Sequence, residues 1–182
     1  MVVLGHPGLT EMKRLEEDLS AGIWTLPSFP VVLVTAGENV MTAGAFHFYS
    51  FDPPSLMVGI MPDKYTHDLI TEHGDFGINI PTVDQIQAVR ICGAVSGRDV
   101  PDKFARAGLS PFDGLSIKSY LIKECPLNIE CKVVHRLAYK GSHQWFVGEI
   151  KAVHRDDSYE PDQALMFWGR AYRKVGELLE GV

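Results

Sequence analysis

The chain has 182 residues, enough for one domain with a sizeable core, and its 46% hydrophobic and 22% charged content are those of an ordinary globular protein. A net charge of −6 without long blocks of like charge argues against a nucleic-acid surface, which needs clustered Lys and Arg. No apolar run reaches membrane-spanning length, and Lys13, Arg14, Glu16, Glu17 and Asp18 do not follow the basic-then-apolar order of a signal peptide, so the expectation is a cytoplasmic protein with no membrane partner.

Thr10 to Ala21 reads as a short amphipathic helix, with Met12, Leu15 and Leu19 on one stripe. Pro27 and Pro30 force an extended lead-in. Val31 to Thr35 is a β-rich run, Gly37-Glu38-Asn39 a turn, and Val40 to Phe46 a returning strand, so the three form a hairpin. Asp52-Pro53-Pro54 links this hairpin to a third strand, Ser55 to Met61. Lys64 to His73 has the pattern of a helix that buries Leu69 and Ile70 and stops at Gly74. Asp75 to Ile80 is a fourth strand, and Val83 to Val95 has helical spacing at Ile86, Val89 and Ala94. Asp99 is the predicted N-cap of a further helix, with Pro101 in its first turn and its end near Gly108. Leu127, Ile129, Cys131 and Val133 alternate with Asn128, Glu130 and Lys132, the pattern of a half-buried strand. Tyr139 to Ser142 turns the chain, and Trp145 to Val153 returns as the partner strand. Ala164 to Phe167 is a short last strand, and Tyr172 to Leu179 a tail or helical turn.

Strands with helices inserted in the middle favour an antiparallel barrel or α+β domain over a doubly wound sheet. Nothing marks a domain boundary, so residues 1–182 read as one domain, with a core of about 30–155, an N-terminal helix at 10–21 and a C-terminal tail at 164–182. Three cysteines do not suggest a disulfide framework. If Cys125 and Cys131 share a strand, six residues at about 3.3 Å each hold them roughly 20 Å apart, beyond disulfide reach. The seven histidines show no metal-ligand spacing, and no HExxH or CxxC occurs, so no metal is expected.

Several segments carry chemistry without deciding it. Met41-Thr42-Ala43-Gly44-Ala45-Phe46 is a strand of small residues, which fill a core poorly but let a flat cofactor approach the backbone. The helix start at Lys64-Tyr65-Thr66 reads either as an ordinary cap or, by its free N–H groups and dipole, as a phosphate site; the cap is the simpler reading. Ser96-Gly97-Arg98-Asp99 with Lys103 offers Gly97 for an unusual turn and Arg98 as a phosphate fork, and equally describes a solvated loop before a helix. Asn79 sits in an apolar strand and needs a partner, either backbone or ligand. His143, at the hairpin tip Gly141-Ser142-His143, is a solvated turn residue unless it borders an open cofactor face. No Walker loop, nucleophile elbow or GxGxxG fingerprint is present.

Taken in order, Pro30 to Val34, Met41 to Phe46, Asp52-Pro53-Pro54, Phe76 to Pro81, Ser96 to Asp99 with Asp102-Lys103-Phe104, Gly108-Leu109, Glu130-Cys131, His143 to Ile150 and Arg170-Ala171-Tyr172 with Val175-Gly176-Glu177 resemble the FMN-binding split-barrel flavin reductase family, most closely its flavoredoxin branch. The resemblance runs from about Pro30 to Leu179. It implies a six-stranded antiparallel Greek-key split β-barrel, mainly β, working as a homodimer with FMN near the subunit interface. It further implies that Met41, Thr42, Ala43, Gly44, Ala45 and Phe46 line the flavin. Lys64, Tyr65 and Thr66 approach its phosphate or ribityl chain, Asn79 supports the flavin strand, and Ser96, Arg98 and Lys103 lie near the phosphate. Tyr172, from the partner subunit, lies by the ring. Two departures stand out. The family often carries Gly-Asp-His, associated with nicotinamide binding, where this chain has Gly141-Ser142-His143, and Phe46 stands where Trp is common.

The expected activity is electron transfer from NAD(P)H through FMN to flavin, ferric iron or a similar acceptor, with His143 as the assisting catalytic side chain. The alternatives are a flavoredoxin-type electron carrier that exchanges electrons with partner proteins without oxidising NAD(P)H, and a split-barrel module that binds without catalysis.

Overall fold

The computed structural model describes residue 26, residues 29–138 and residues 140–176; the predicted helix at 10–21 lies outside them. Strand β1 (Phe29–Pro30) leads into β2 (Val32–Ala36) and β3 (Asn39–Ala43), joined through Gly37, whose φ of +52° suits glycine in a tight turn. Next come β4 (Phe46–Phe51), β5 (Pro54–Ile60), helix α1 (Tyr65–His73) and β6 (Asp75–Ile80). A 3-10 turn (Val83–Gln85) runs into α2 (Ile86–Ala94), and α3 (Lys103–Ala107) follows. The chain closes with β7 (Pro111–Asp113), β8 (Tyr120–Ile122), β9 (Leu127–Leu137), β10 (Gln144–Arg155), β11 (Leu165–Trp168) and β12 (Ala171–Lys174).

The main sheet is antiparallel, in the order β3-β2-β6-β9-β10-β5-β4. It is the curled sheet expected of a split barrel, with seven strands rather than six. The extra strand comes from the small-residue segment. Gly44 and Ala45 interrupt it, so that β3 ends at Ala43 and Phe46 starts β4 on the opposite edge of the sheet. The turn at Asp52-Pro53 then returns the chain to β5.

β2 explains why its run is apolar without alternation, since it is buried on both faces. Val32, Val34 and Ala36 join Phe76, Ile78, Val58 and Phe146 in the inner core. Val31 and Leu33 meet Val89, Cys92, Phe104 and Leu165 under α2 and α3. Gly148 is required by close packing, because a Cβ there would lie 2.5 Å from Phe76 Cζ and 2.7 Å from Cys131 Cβ. Two buried carboxylates pin the 114–119 loop. Glu130 accepts from Leu115 N, Ser116 N and His154 Nε2, and Asp75 accepts from Lys118 N, Ser119 N and Ser119 Oγ.

Two boundaries differ from expectation. Asp102, not Asp99, caps α3, its carboxylate accepting from Ala105 N at 2.8 Å, so Pro101 precedes the helix instead of entering it. The segment from Tyr172 is not a tail or helical turn in its described part. Gly169 and Arg170, both at positive φ, make a tight turn that lays β12 antiparallel on β11. Among the described residues no helix is long and apolar enough to cross a membrane.

Candidate functional site

A cleft of about 460 Å³ opens where the start of α1, the end of α2, the 95–102 loop and the start of α3 converge on β3. That volume suits a small-molecule site, typically roughly 300–1,000 Å³. Met41, Lys64, Tyr65, Thr66, Ser96, Arg98 and Lys103 all line it, so two segments separated by about thirty residues in sequence meet at one place. Among the described residues no side chain caps α1; His67 N donates to Lys64 O at 3.0 Å, and the positive end of the helix dipole is left to an anion.

The three cations at the cleft differ in kind. Lys64 pairs with Asp63 at 3.0 Å. Arg98 is held by Asp68 Oδ2 at 2.5 Å and by Asp63 O at 3.0 Å, and lies over the Tyr65 ring at 5.2 Å. Lys103 is 3% exposed and forms no ion pair among the described residues. Burial pushes its pKa down, with an opposing pull from the Cys92 thiol, whose own pKa burial pushes up to about 11. A buried ammonium without a counter-charge, beside a cleft, is suited to an anionic group.

Asn39 is a cleft residue, although Gly37-Glu38-Asn39 has the composition of a turn. Its Nδ2 donates to Thr66 Oγ1 at 2.8 Å, and its buried Oδ1 has no hydrogen-bond partner. Gly97 is what brings it there. A Cβ at Gly97 would sit 2.2 Å from Asn39 Oδ1 and 3.0 Å from Tyr65 Cδ1, so this glycine serves close approach and not an unusual turn. Among the described residues no cluster of His, Cys, Asp or Glu is arranged to hold a metal ion.

A family model for the flavin reductase like domain matches residues 26–176. The chain belongs to this family. An uncharacterized protein of Archaeoglobus fulgidus is 35% identical over 138 residues, 76% of this chain and 77% of that protein. A protein of Stutzerimonas stutzeri named FMN reductase (NADH) RutF is 27% identical over 137 residues, 75% of this chain and 74% of its own. Among solved structures, flavoredoxin of Desulfovibrio vulgaris (Miyazaki F) superposes with a TM-score of 0.80 at 30% identity, covering 93% of this chain and 97% of that one.

The other residues singled out by resemblance to flavin reductases fall outside the cleft. Thr42 Oγ donates to Val89 O at 2.6 Å, Ala43 is buried in the core, and Gly44 is open to solvent. Ala45 and Trp145 close over Gly59, and Phe46 packs against the inner core. Of the two partners open to Asn79, backbone or ligand, it takes the backbone. It is fully buried, Nδ2 donating to Leu33 O and Oδ1 accepting from Ile122 N and Asn128 Nδ2, so its amide is spent on joining β2, β6, β8 and β9. Tyr172 packs on Phe167 and under the Arg90 guanidinium, not on this cleft. His143 stands at the β9–β10 tip, hydrogen-bonded to Ser142 Oγ at 2.8 Å.

The donor set fits a phosphorylated flavin. Lys103, Arg98, Thr66 and the α1 amides would hold a phosphate.

Proposed function

We propose that the chain binds FMN, with its phosphate in the cleft, and passes electrons from NAD(P)H to flavin, ferric iron or a similar acceptor. The observation that carries this reading is Lys103, buried and without an ion pair among the described residues, at the cleft of a flavin reductase like domain. The relative named as an NADH-dependent FMN reductase supports the donor. FMN, when bound, supplies the hydride and electron chemistry. The protein's part is to bind and orient. Lys103, Arg98 and Thr66 hold the phosphate, Met41 and the open backbone at Gly44 and Ala45 face the flavin, and His143 contacts the incoming donor. Purified protein should show flavin absorbance, release FMN on heating, and bleach on anaerobic addition of NADH or NADPH. Colourless protein that takes up no FMN would end this reading.

A second reading, a flavoredoxin-type electron carrier, is favoured by Ser142 in place of the family's Asp and by the likeness to flavoredoxin. Bound FMN that neither nucleotide bleaches would select it.

The same proposal includes a homodimer with FMN and Tyr172 near its interface. It is supported by β4, the edge strand of the main sheet among the described residues, which exposes Phe48, Tyr49 and Phe51, the last 85% accessible. Light scattering should give twice the chain mass for wild type and a monomer for Phe51→Glu; monomeric wild type would remove the dimer.

A further inference from the structure

The β9–β10 hairpin, whose tip carries His143, docks on α1 at two points. Arg136 Nη2 donates to Thr71 O at 3.0 Å, and His67 Nε2 is hydrogen-bonded to Gln144 Oε1. His67 is unusual for a residue in the first turn of a surface helix. Its side chain is 14% exposed, its ring meets Phe146 edge-on at 5.2 Å, and its buried Nδ1 has no hydrogen-bond partner. Asp68 Oδ1 stands 3.7 Å away, beyond hydrogen-bond length, while Oδ2 of the same carboxylate is held by Arg98. A polar chain, Gln144–His67–Asp68–Arg98, therefore runs from the tip end of the hairpin, next to His143, to the anion cleft.

We propose that His67 and Gln144 are positioning residues that couple occupation of the cleft by a phosphate-bearing ligand to the docking of the β9–β10 hairpin, and through it to the placement of His143. The proposal rests on the reading of the cleft as the ligand site. Arg98 spends its two terminal nitrogens on Asp68 and Asp63 O, so engaging a ligand phosphate draws the guanidinium away from Asp68. The freed carboxylate can then accept from His67 Nδ1–H, which gives the buried nitrogen its missing partner. A neutral imidazole carries one N–H, so Nε2 becomes an acceptor and the Gln144 amide turns its NH2 group toward it. Both ring nitrogens of His67 are then paired, and the hairpin is held more firmly than in the free protein. Linkage makes the effect reciprocal, so a better-held hairpin tightens the ligand by the same factor.

Hydrogen exchange at the facing residues Leu137 and Trp145, and at Gln144, reads the docking directly. Saturating FMN should slow it by about fivefold or more, the lower end of ordinary site-to-site coupling. Gln144→Ala should abolish the slowing and weaken FMN by a matching factor, although Gln144 does not line the cleft. Arg136→Ala, which loosens the hairpin outside the chain, should leave the slowing intact. Arg98→Ala tests the proposal with no ligand at all. By releasing Asp68 it should slow hairpin exchange in the free protein and move the His67 ring nitrogen shifts toward the Nδ1–H tautomer. Both changes should vanish in the Arg98→Ala, Gln144→Ala double variant. Unchanged exchange and ring shifts in Arg98→Ala overturn the proposal whether or not FMN binds, as does bound FMN that leaves the hairpin unaffected. Failure of FMN to bind, with the Arg98→Ala effects present, overturns the ligand assignment instead.

Discussion

Lys103→Met separates the anion cleft from the rest of the fold. Lys103 is 3% exposed at the start of α3, its ammonium has no ion-pair partner among the described residues, and burial holds its pKa below the usual lysine value. In the free protein burial penalises that charge and no carboxylate among the described residues offsets it; a ligand phosphate would supply the missing partner. Methionine keeps the length of the side chain and removes the charge. A hydrogen bond to a charged group is worth about 1.5–3 kcal/mol, so the FMN dissociation constant should rise roughly 10- to 150-fold. Arg98→Ala should cost less. Its guanidinium is 45% exposed and already satisfied by Asp68 and Asp63 O, and pairs of that kind contribute about 0–1 kcal/mol, at most roughly fivefold. Flavin fluorescence titration measures both, with riboflavin as the internal control, since it has the ring without the phosphate. Riboflavin binding should be indifferent to Lys103→Met. The unliganded variant should also melt no lower than wild type, because an uncompensated buried charge has been replaced by an apolar group of similar volume. FMN affinity within twofold of wild type, or an equal loss for riboflavin, would refute the assignment of Lys103 to the phosphate.

Asn79→Ala leaves Ile122 N and Leu33 O without their buried partner; at about 1–3 kcal/mol per stranded group it should lower stability by roughly 2–6 kcal/mol in urea titration, while folded protein keeps its FMN affinity. A loss of affinity at unchanged stability would return Asn79 to the binding residues. Gly148→Ala drives a methyl into Phe76 and Cys131 and should cost about 1–3 kcal/mol without touching the cleft; a wild-type melting curve would mean that the strands yield there. Burial pushes the Glu130 carboxyl up, but hydrogen bonds from His154, Leu115 N and Ser116 N outweigh it and hold the pKa below its ordinary value of 4.5. Because the folded value is the lower one, this contribution to stability is present above pH 4.5 and is lost as pH falls through the folded pKa. Glu130→Gln should flatten that part of the acid limb in pH-dependent denaturation, and an unchanged limb would assign it to other carboxylates.

The strand order follows from patterns that a sequence displays. Val31 to Val34 is apolar throughout because β2 is buried on both faces, whereas the alternation in β9 does not mark an open face, since Asn128 and Glu130 are themselves buried, one against the Asn79 amide and the other under the 114–119 loop. The start of β4 was hidden because Phe46 continues the apolar pattern of β3, and only the geometry at Gly44-Ala45 shows that the strand has changed edges. The α3 cap was misplaced because Asp99 and Asp102 flank the same proline and both suit a helix start; the bond to Ala105 N decides between them. Tyr172 looked terminal because Gly169-Arg170 is not one of the common hairpin dipeptides.

For the cleft, residue type was legible and state was not. Lys64, Arg98 and Lys103 are three cations near turns in the sequence, with nothing to rank them. The fold leaves Lys64 and Arg98 each 45% exposed with a carboxylate partner, and buries Lys103 with none. Asn39 was invisible for a related reason, since an asparagine after Gly-Glu is an ordinary turn residue until Gly97 packs against its amide. In both cases the missing information is solvation. Charge and hydrogen-bonding capacity belong to the residue, but the free energy that a ligand can recover depends on how far the fold has already removed that group from water and left it unpaired. A buried, unpartnered ammonium has more to gain from a phosphate than an exposed, partnered guanidinium, which is why the order Lys103 before Arg98 is the consequence of this structure that binding measurements can reverse.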